Sequence, residues 1–264
     1  MSCSVSQPLQ GVYHIADAFG AHSTLVLGSK GALLVDTGCG LNDLKAQVEA
    51  LCSVPITVVN THGHQDHIGG NYQFDRVYLP ELDYGLARLN VSQYVKHKVL
   101  SLSGQREMDF DLCAYLAYGL ENAIAMPPGL SFDLGGELVE AVSLPNHTPG
   151  STGYLCRQRR LLLAGDAAGP MVYLFFNEAA GLEKHLELMD ELAADPRFDY
   201  LLCSHSETLF KKRDLGTFRS CAAECLKKRG GRPFHDPIFR ECRGLKFTYV
   251  SDDDPTDCAA VIYK

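Results

Sequence analysis

Residues 59–70 read VNTHGHQDHIGG and place His62, His64, Asp66 and His67 within a span of six positions. The stretch follows an apolar run, PITVVN, and ends in two glycines, so it lies on a loop at the C-terminal end of a strand. His62 and His64 are one residue apart, which lets two imidazoles grip one ion from an extended backbone. Asp66 and His67 lie just beyond and can point to a second ion. Two metals roughly 3.5–4 Å apart form a clamp that polarises a substrate.

Four ligands in one loop leave such a site incomplete, and three more candidates stand where other apolar runs end. His147 opens HTPGS after VSLP, Asp166 ends RLLLAGD, and His205 ends YLLCSH. Loops past buried strands converge on one edge of a scaffold. Imidazole and carboxylate suit zinc, and also iron or manganese. A purely structural zinc site is disfavoured, because such sites are closed tetrahedra rich in cysteine. The remaining histidines, His14, His22, His97, His185 and His235, are read as surface or satisfied polar residues. Cys39 and Cys203 are read as small core residues.

With Asp36 in VDTG, the HGHQDH run at 62–67, His147, Asp166 and His205 in this order, the chain resembles the metallo-β-lactamase-fold hydrolases. The resemblance implies an α/β fold, a four-layer αββα sandwich with metals at one sheet edge. It implies that His62, His64 and His147 hold a first divalent ion. Asp66, His67 and His205 hold a second, and Asp166 bridges both, with zinc the first expectation. Asp36 follows a strand and precedes Thr-Gly, so it is expected to support the ligands rather than ligate. A water held between two cations becomes a hydroxide nucleophile near neutral pH. Asp66 is expected to orient it or to shuttle a proton to the leaving atom.

The complete ligand set is most similar to glyoxalase II and the acyl-homoserine lactonases, which points to a small ester, thioester or lactone as substrate. The lactonases usually carry a tyrosine three residues after the bridging aspartate, where this chain has Gly169. Glyoxalase II uses basic residues of its C-terminal region for glutathione, and Arg240, Arg243 and Lys246 are the nearby candidates. True β-lactamases of this fold typically lack the bridging aspartate. The alternatives are a mononuclear iron enzyme similar to persulfide dioxygenases, a phosphodiesterase, or a catalytically silent ligand-binding or sensor member.

Around this constellation the chain reads as a single domain over residues 1–264. GVYHIAD, STLVLG, GALLVD and PITVVN fit strands, and LNDLKAQVEALC fits a helix with Asn42 as N-cap. Residues 80–128 carry mostly helical patterns closed by a double proline, and are read as a helical insertion. Its Tyr84, Tyr94, Phe110, Tyr115 and Tyr118 either line an acyl pocket or pack the insertion onto the core. A homodimer through this insertion is a further option. GYLCR and RLLLAGD read as a hairpin, and MVYLF and FDYLLCSH as strands. Residues 181–195 and 214–229 read as amphipathic helices, and LKFTYV and CAAVIYK as two last strands around the acidic turn SDDDPTD.

Composition narrows the partners. A net charge of −8 is unfavourable for nucleic acid, which is bound by basic patches. No run reaches the length of a membrane span. The N-terminus lacks a basic region followed by an apolar stretch. Ten scattered cysteines fit reduced thiols better than a disulfide framework, so a cytoplasmic location and a small-molecule substrate are expected.

Overall fold

In the run Ala32–Val35, Leu33 and Val35 belong to one buried cluster, whereas Ala32 and Leu34 belong to another. All four are buried, so this strand has a core on each face, and its unbroken apolar sequence follows from that. The computed structural model describes residues 4–104, 109–127, 129–236, 243–251, 256 and 258–264. Its first sheet runs in chain order through β1 (Val5–Leu9), β2 (Val12–Ala16), β3 (His22–Leu27), β4 (Ala32–Val35), β5 (Ile56–Val59), β6 (Val77–Pro80) and β7 (Ala123–Met126). Pairing is antiparallel from β1 to β4 and parallel from β4 to β7. A second sheet contains β8 (Ser131–Asp133), β9 (Leu138–Ser143), β10 (Thr152–Cys156), β11 (Leu161–Leu163), β13 (Tyr200–Leu202) and β14 (Phe210–Lys211). The expected hairpin is present as the β10–β11 pair.

The two sheets face each other through Val12, Val26, Leu33 and Val35 on one side and Val139, Tyr154, Leu161 and Leu163 on the other. On the outer face of the first sheet, Leu25, Leu34 and Val58 pack with Leu44 and Val48 of α1 (Leu44–Leu51). On the outer face of the second, Leu155, Leu162 and Leu201 pack with α6 (Leu182–Ala194) and α7 (Leu215–Lys228). Helix, sheet, sheet and helix follow one another, the expected αββα sandwich.

Three details depart from the sequence reading. The N-cap of α1 is Asp43, whose carboxylate accepts the Ala46 amide at 2.9 Å, and not Asn42. MVYLF and the tail strands do not join the main sheets. They form a third sheet in the order β12 (Met171–Leu174), β17 (Cys258–Tyr263), β16 (Arg243–Val250), β15 (Arg232–His235). Val172, Val261 and Tyr263 are drawn there by the α6–α7 cluster, which offers them an apolar surface. The acidic turn SDDDPTD lies outside the described residues, apart from Ser251 and Thr256.

The third departure concerns residues 80–128. They hold α3 (Tyr84–Asn90), α4 (Gln93–Ser103) and α5 (Leu112–Ala117), as the helical pattern indicates. ENAIAM, read as helix, instead supplies β7, paired in parallel with β6 from Val77↔Ala123 to Pro80↔Met126. The helices are thus the crossover that a parallel strand pair requires. Alanine and methionine favour helix intrinsically, but the open edge of a sheet overrides that preference. Pro128 lies outside the described residues. Among the described residues no helix is long and apolar enough to cross a membrane, and the eight described cysteines are free. Cys3 and Cys242 lie outside them.

Candidate metal centre

The HGHQDH loop leaves β5 at its C-terminal end and closes into the one-turn helix α2 (Gln65–Ile68). Asn60 Nδ2 and Thr37 Oγ1 donate to the His67 carbonyl at 2.9 and 3.1 Å and pin that turn. The glycines that follow are required by close packing. A Cβ at Gly69 would lie 2.4 Å from the Cys39 carbonyl oxygen, and one at Gly70 2.4 Å from that of Thr37.

All seven expected ligands come together. His62, His64 and His147 form one group, Asp66, His67 and His205 another, and His62, His67 and Asp166 a third that links them, with donor atoms inside 4.8 Å in each. His62 Nε2 is 3.0 Å from His64 Nδ1, which is 2.9 Å from His147 Nε2. Asp166 Oδ2 lies 3.7 Å from His147 Nε2 and 3.2 Å from His205 Nε2, between the two halves. His67 Nε2 stands 3.7 Å from Asp66 and 3.5 Å from Asp166.

The outward nitrogens decide what the inward ones carry. Thr61 Oγ1 donates to Asp36 at 2.7 Å, so it accepts the proton of His62 Nδ1 at 3.0 Å. His147 Nδ1 faces the Tyr173 carbonyl at 2.7 Å, and a carbonyl can only accept. His64 Nε2 donates to Glu178 at 3.1 Å. Each ring spends its proton outward, and three lone pairs therefore meet at the centre of the first group. Such an arrangement is repulsive without a cation and favourable around one. In the second group His67 Nδ1 donates to Asp36 at 2.8 Å, leaving Nε2 buried and without a hydrogen-bond partner. Asp166 Oδ1 is orphaned in the same way. The donor set and its orphaned atoms fit divalent cations.

Electrostatics separates the two halves. Burial, reinforced by neighbouring imidazoles, depresses His62 well below the ordinary histidine value and His147 to about 4, so both rings are neutral ligands at pH 7. Burial also opposes charging of His67 and His205, but the carboxylates of Asp66 and Asp166 outweigh it and hold both well above the ordinary value. Asp36 does not aim at the ion sites. It has a left-handed backbone (φ 64°) and accepts the amide and hydroxyl of Thr61 together with His67 Nδ1.

Two supporting carboxylates escape the sequence reading. Asp83, fully buried at the start of the crossover, accepts the Gly63 amide at 2.9 Å, the Thr148 hydroxyl at 2.7 Å and the Gly150 amide at 2.7 Å. It joins the loop of His62 and His64 to that of His147. Glu178 is the partner of His64. Neither has a spacing to any motif that a sequence could display.

A cavity of about 720 Å³ opens over the ligands, with Phe19, Leu102, Met171, Tyr173 and Phe176 as its apolar wall. None of the five aromatics singled out in the crossover lines it. Tyr115 and Tyr118 are buried in the packing, Tyr84 and Phe110 flank them, and Tyr94 is exposed. Arg243 and Lys246 lie on β16 and do not line the cavity, and Arg240 is outside the described residues. His14, His22 and His185 are buried, not on the surface, each with a hydrogen bond, and His97 bonds the Gln93 carbonyl.

Residues 16–205 match the family model of the metallo-beta-lactamase superfamily. The chain belongs to this superfamily. Its members typically bind divalent metals, which agrees with the donor groups described above. Among curated proteins it is similar to the acyl-coenzyme A thioesterase MBLAC2 of Bos taurus, 29% identical over 184 residues, covering 59% of this chain and 63% of that one. It is also similar to the hydroxyacylglutathione hydrolase GloC of Haemophilus influenzae, 26% identical over 144 residues, covering 52% of this chain and 61% of that one. The chain thus spans less than two thirds of these relatives. Among solved structures, the sec-alkylsulfatase Pisa1 from Pseudomonas sp. matches with a TM-score of 0.64 at 18% identity, over 86% of this chain and 42% of that one. A metallo-beta-lactamase from Pontibacter korlensis matches with a TM-score of 0.58 at 18% identity, over 84% and 99%. These likenesses show the fold.

Proposed function

We propose that this chain is a dinuclear, zinc-dependent hydrolase of small acyl thioesters, with esters as lesser substrates. In this reading His62, His64 and His147 hold one ion, Asp66, His67 and His205 the other, and Asp166 both. The observation that carries it is the convergence of three unprotonated imidazole nitrogens beside a carboxylate that reaches the second group. Two bound divalent cations supply Lewis-acid polarisation of the scissile carbonyl and acidify water.

The chain's own residues do the rest. Phe176, Tyr173 and Met171 bury the acyl group against an apolar wall and exclude bulk water from the reacting carbon. Asp66 faces the same cavity and is placed to carry a proton from water to the departing sulfur. Asp36 and the Tyr173 carbonyl keep His67 and His147 in the ligating tautomer. Thioesters are favoured because the curated relatives include an acyl-coenzyme A thioesterase and hydroxyacylglutathione hydrolases. Lactones are disfavoured, because Gly169 stands where the lactonases usually carry a tyrosine, and a Cβ there would sit tightly against Cys203, 3.0 Å from its Sγ.

Metal analysis and a substrate panel test this reading. The expected result is two zinc ions per chain and hydrolysis of acyl thioesters that is abolished by a chelator and restored by zinc. A protein with two ions that turns over no thioester or ester would favour the ligand-binding alternative. One iron per chain with oxygen consumption would favour the persulfide-dioxygenase alternative, and preferred cleavage of phosphodiesters the phosphodiesterase one.

A further inference from the structure

The stretch 171–178 supplies much of what surrounds the first ligand group. Its Tyr173 carbonyl receives His147 Nδ1 at 2.7 Å, and the Phe176 ring lies 5.1 Å from that of His64 and 6.0 Å from that of His147. Two residues on, Glu178 Oε1 receives His64 Nε2 at 3.1 Å. The side chain of Glu178 is 26% exposed and that of His64 12%, so the pair sits at the wall of the cavity, partly open to solvent.

The supports of the three rings differ in charge. His62 leans on the Thr61 hydroxyl and His147 on a peptide carbonyl, whereas His64 alone in this group leans directly on a carboxylate. A carboxylate that takes the outer proton of an imidazole raises the basicity of the inner nitrogen and locks the ring orientation. Such a contact acts on one ligand of one half-site, because in the other His67 leans on Asp36 and His205 lies against Asp66 and Asp166.

We propose that Glu178 is a positioning residue for the first ion: it holds His64 with Nδ1 unprotonated and turned inward, and strengthens cation binding at the His62–His64–His147 half-site selectively. The inference rests on the metal-centre reading given above but not on the identity of the substrate. The test is a titration of the metal-free full chain with Zn(II) in competition with a chromophoric chelator, and with Co(II) followed by its visible absorption. Glu178→Ala is expected to weaken one binding step by about 10–100-fold and leave the other unchanged. Glu178→Gln keeps an acceptor for the His64 proton without the charge and is expected to fall between Glu178→Ala and wild type. The unfolding midpoint of the metal-free variants should match wild type, because Glu178 is partly exposed. Wild-type affinity at both steps in Glu178→Ala overturns the proposal. Equal loss at both steps together with a lowered midpoint overturns it as well, since that is the mark of a structural part. If the wild type takes a single ion, the dinuclear reading falls, and the effect of Glu178→Ala on that one step still decides the case. Because no substrate is present, failure of the thioester reading leaves this result untouched.

Discussion

Gly63 and Gly150 hang on the same buried carboxylate: both backbone amides donate to Asp83, at 2.9 and 2.7 Å. Two ligand loops distant in sequence are thereby held at a fixed separation by an acid that touches neither ion site. Replacing Asp83 by Ala leaves two buried amides and the Thr148 hydroxyl without an acceptor. The expected loss is ~3 kcal/mol or more of stability, measured by denaturant unfolding, with weakened zinc binding. Asp83→Asn should be nearly as damaging, because its amide nitrogen would confront donors.

Asp66 carries the chemistry in the proposed reaction. Asp66→Asn is expected to lower kcat by roughly 10²–10⁴-fold on a thioester substrate while the unfolding midpoint stays near wild type. Normal turnover in that variant would remove Asp66 from the mechanism. Measuring bound metal alongside separates lost proton transfer from a lost ion.

Phe176 sets the depth of the acyl wall. Truncation to Ala opens space beside His64, so kcat/KM should shift toward longer acyl chains. Each methylene that reaches the new surface is worth about 1–3 kcal/mol in discrimination. An acyl-length profile that does not move would place the acyl group elsewhere in the cavity.

His185 couples stability to acidity away from the ions. Burial pushes its pKa down to about 4 in the folded chain, against an ordinary value of about 6.5. Below pH 6.5 the unfolded chain takes up a proton that the folded chain refuses, so stability is lost as pH falls toward 4. Between pH 7.5 and pH 5 the expected loss is about 2 kcal/mol. His185→Gln, which keeps an acceptor for Asn146, should flatten that part of the stability–pH curve in the metal-free protein. His14, also lowered to about 4 by burial and the neighbouring His22, keeps its own contribution in that variant.

The ligand candidates were legible because their chemistry is written at strand ends. His147, Asp166 and His205 each terminate an apolar run, and the HGHQDH loop terminates another. The sandwich was legible for the same reason, since strands buried on both faces read as unbroken apolar runs. What escaped depends on tertiary placement. Asp83 is a lone acid opening a helical stretch, and Glu178 a lone acid after a strand. Only the fold brings them to Gly63, Gly150 and His64. The strand at ENAIAM was hidden by residues that favour helix, and the third sheet by a partner strand far along the chain. Asn42 and Asp43 are both good caps, and only the backbone entering α1 selects Asp43.

The pairing of β12 with β17 has a consequence for the order of events during synthesis. His62 and His64 are translated early, and the strand that carries Tyr173 well before the chain reaches Cys258. In the third sheet β12 sits at the edge and has β17 as its neighbour, register Tyr173↔Ile262. On the ribosome, therefore, the wall behind the first ligand group lacks its strand partner until Cys258–Tyr263 has emerged. In the proposed reading, tight capture of a first ion by His62, His64 and His147 is then expected only after this strand has paired.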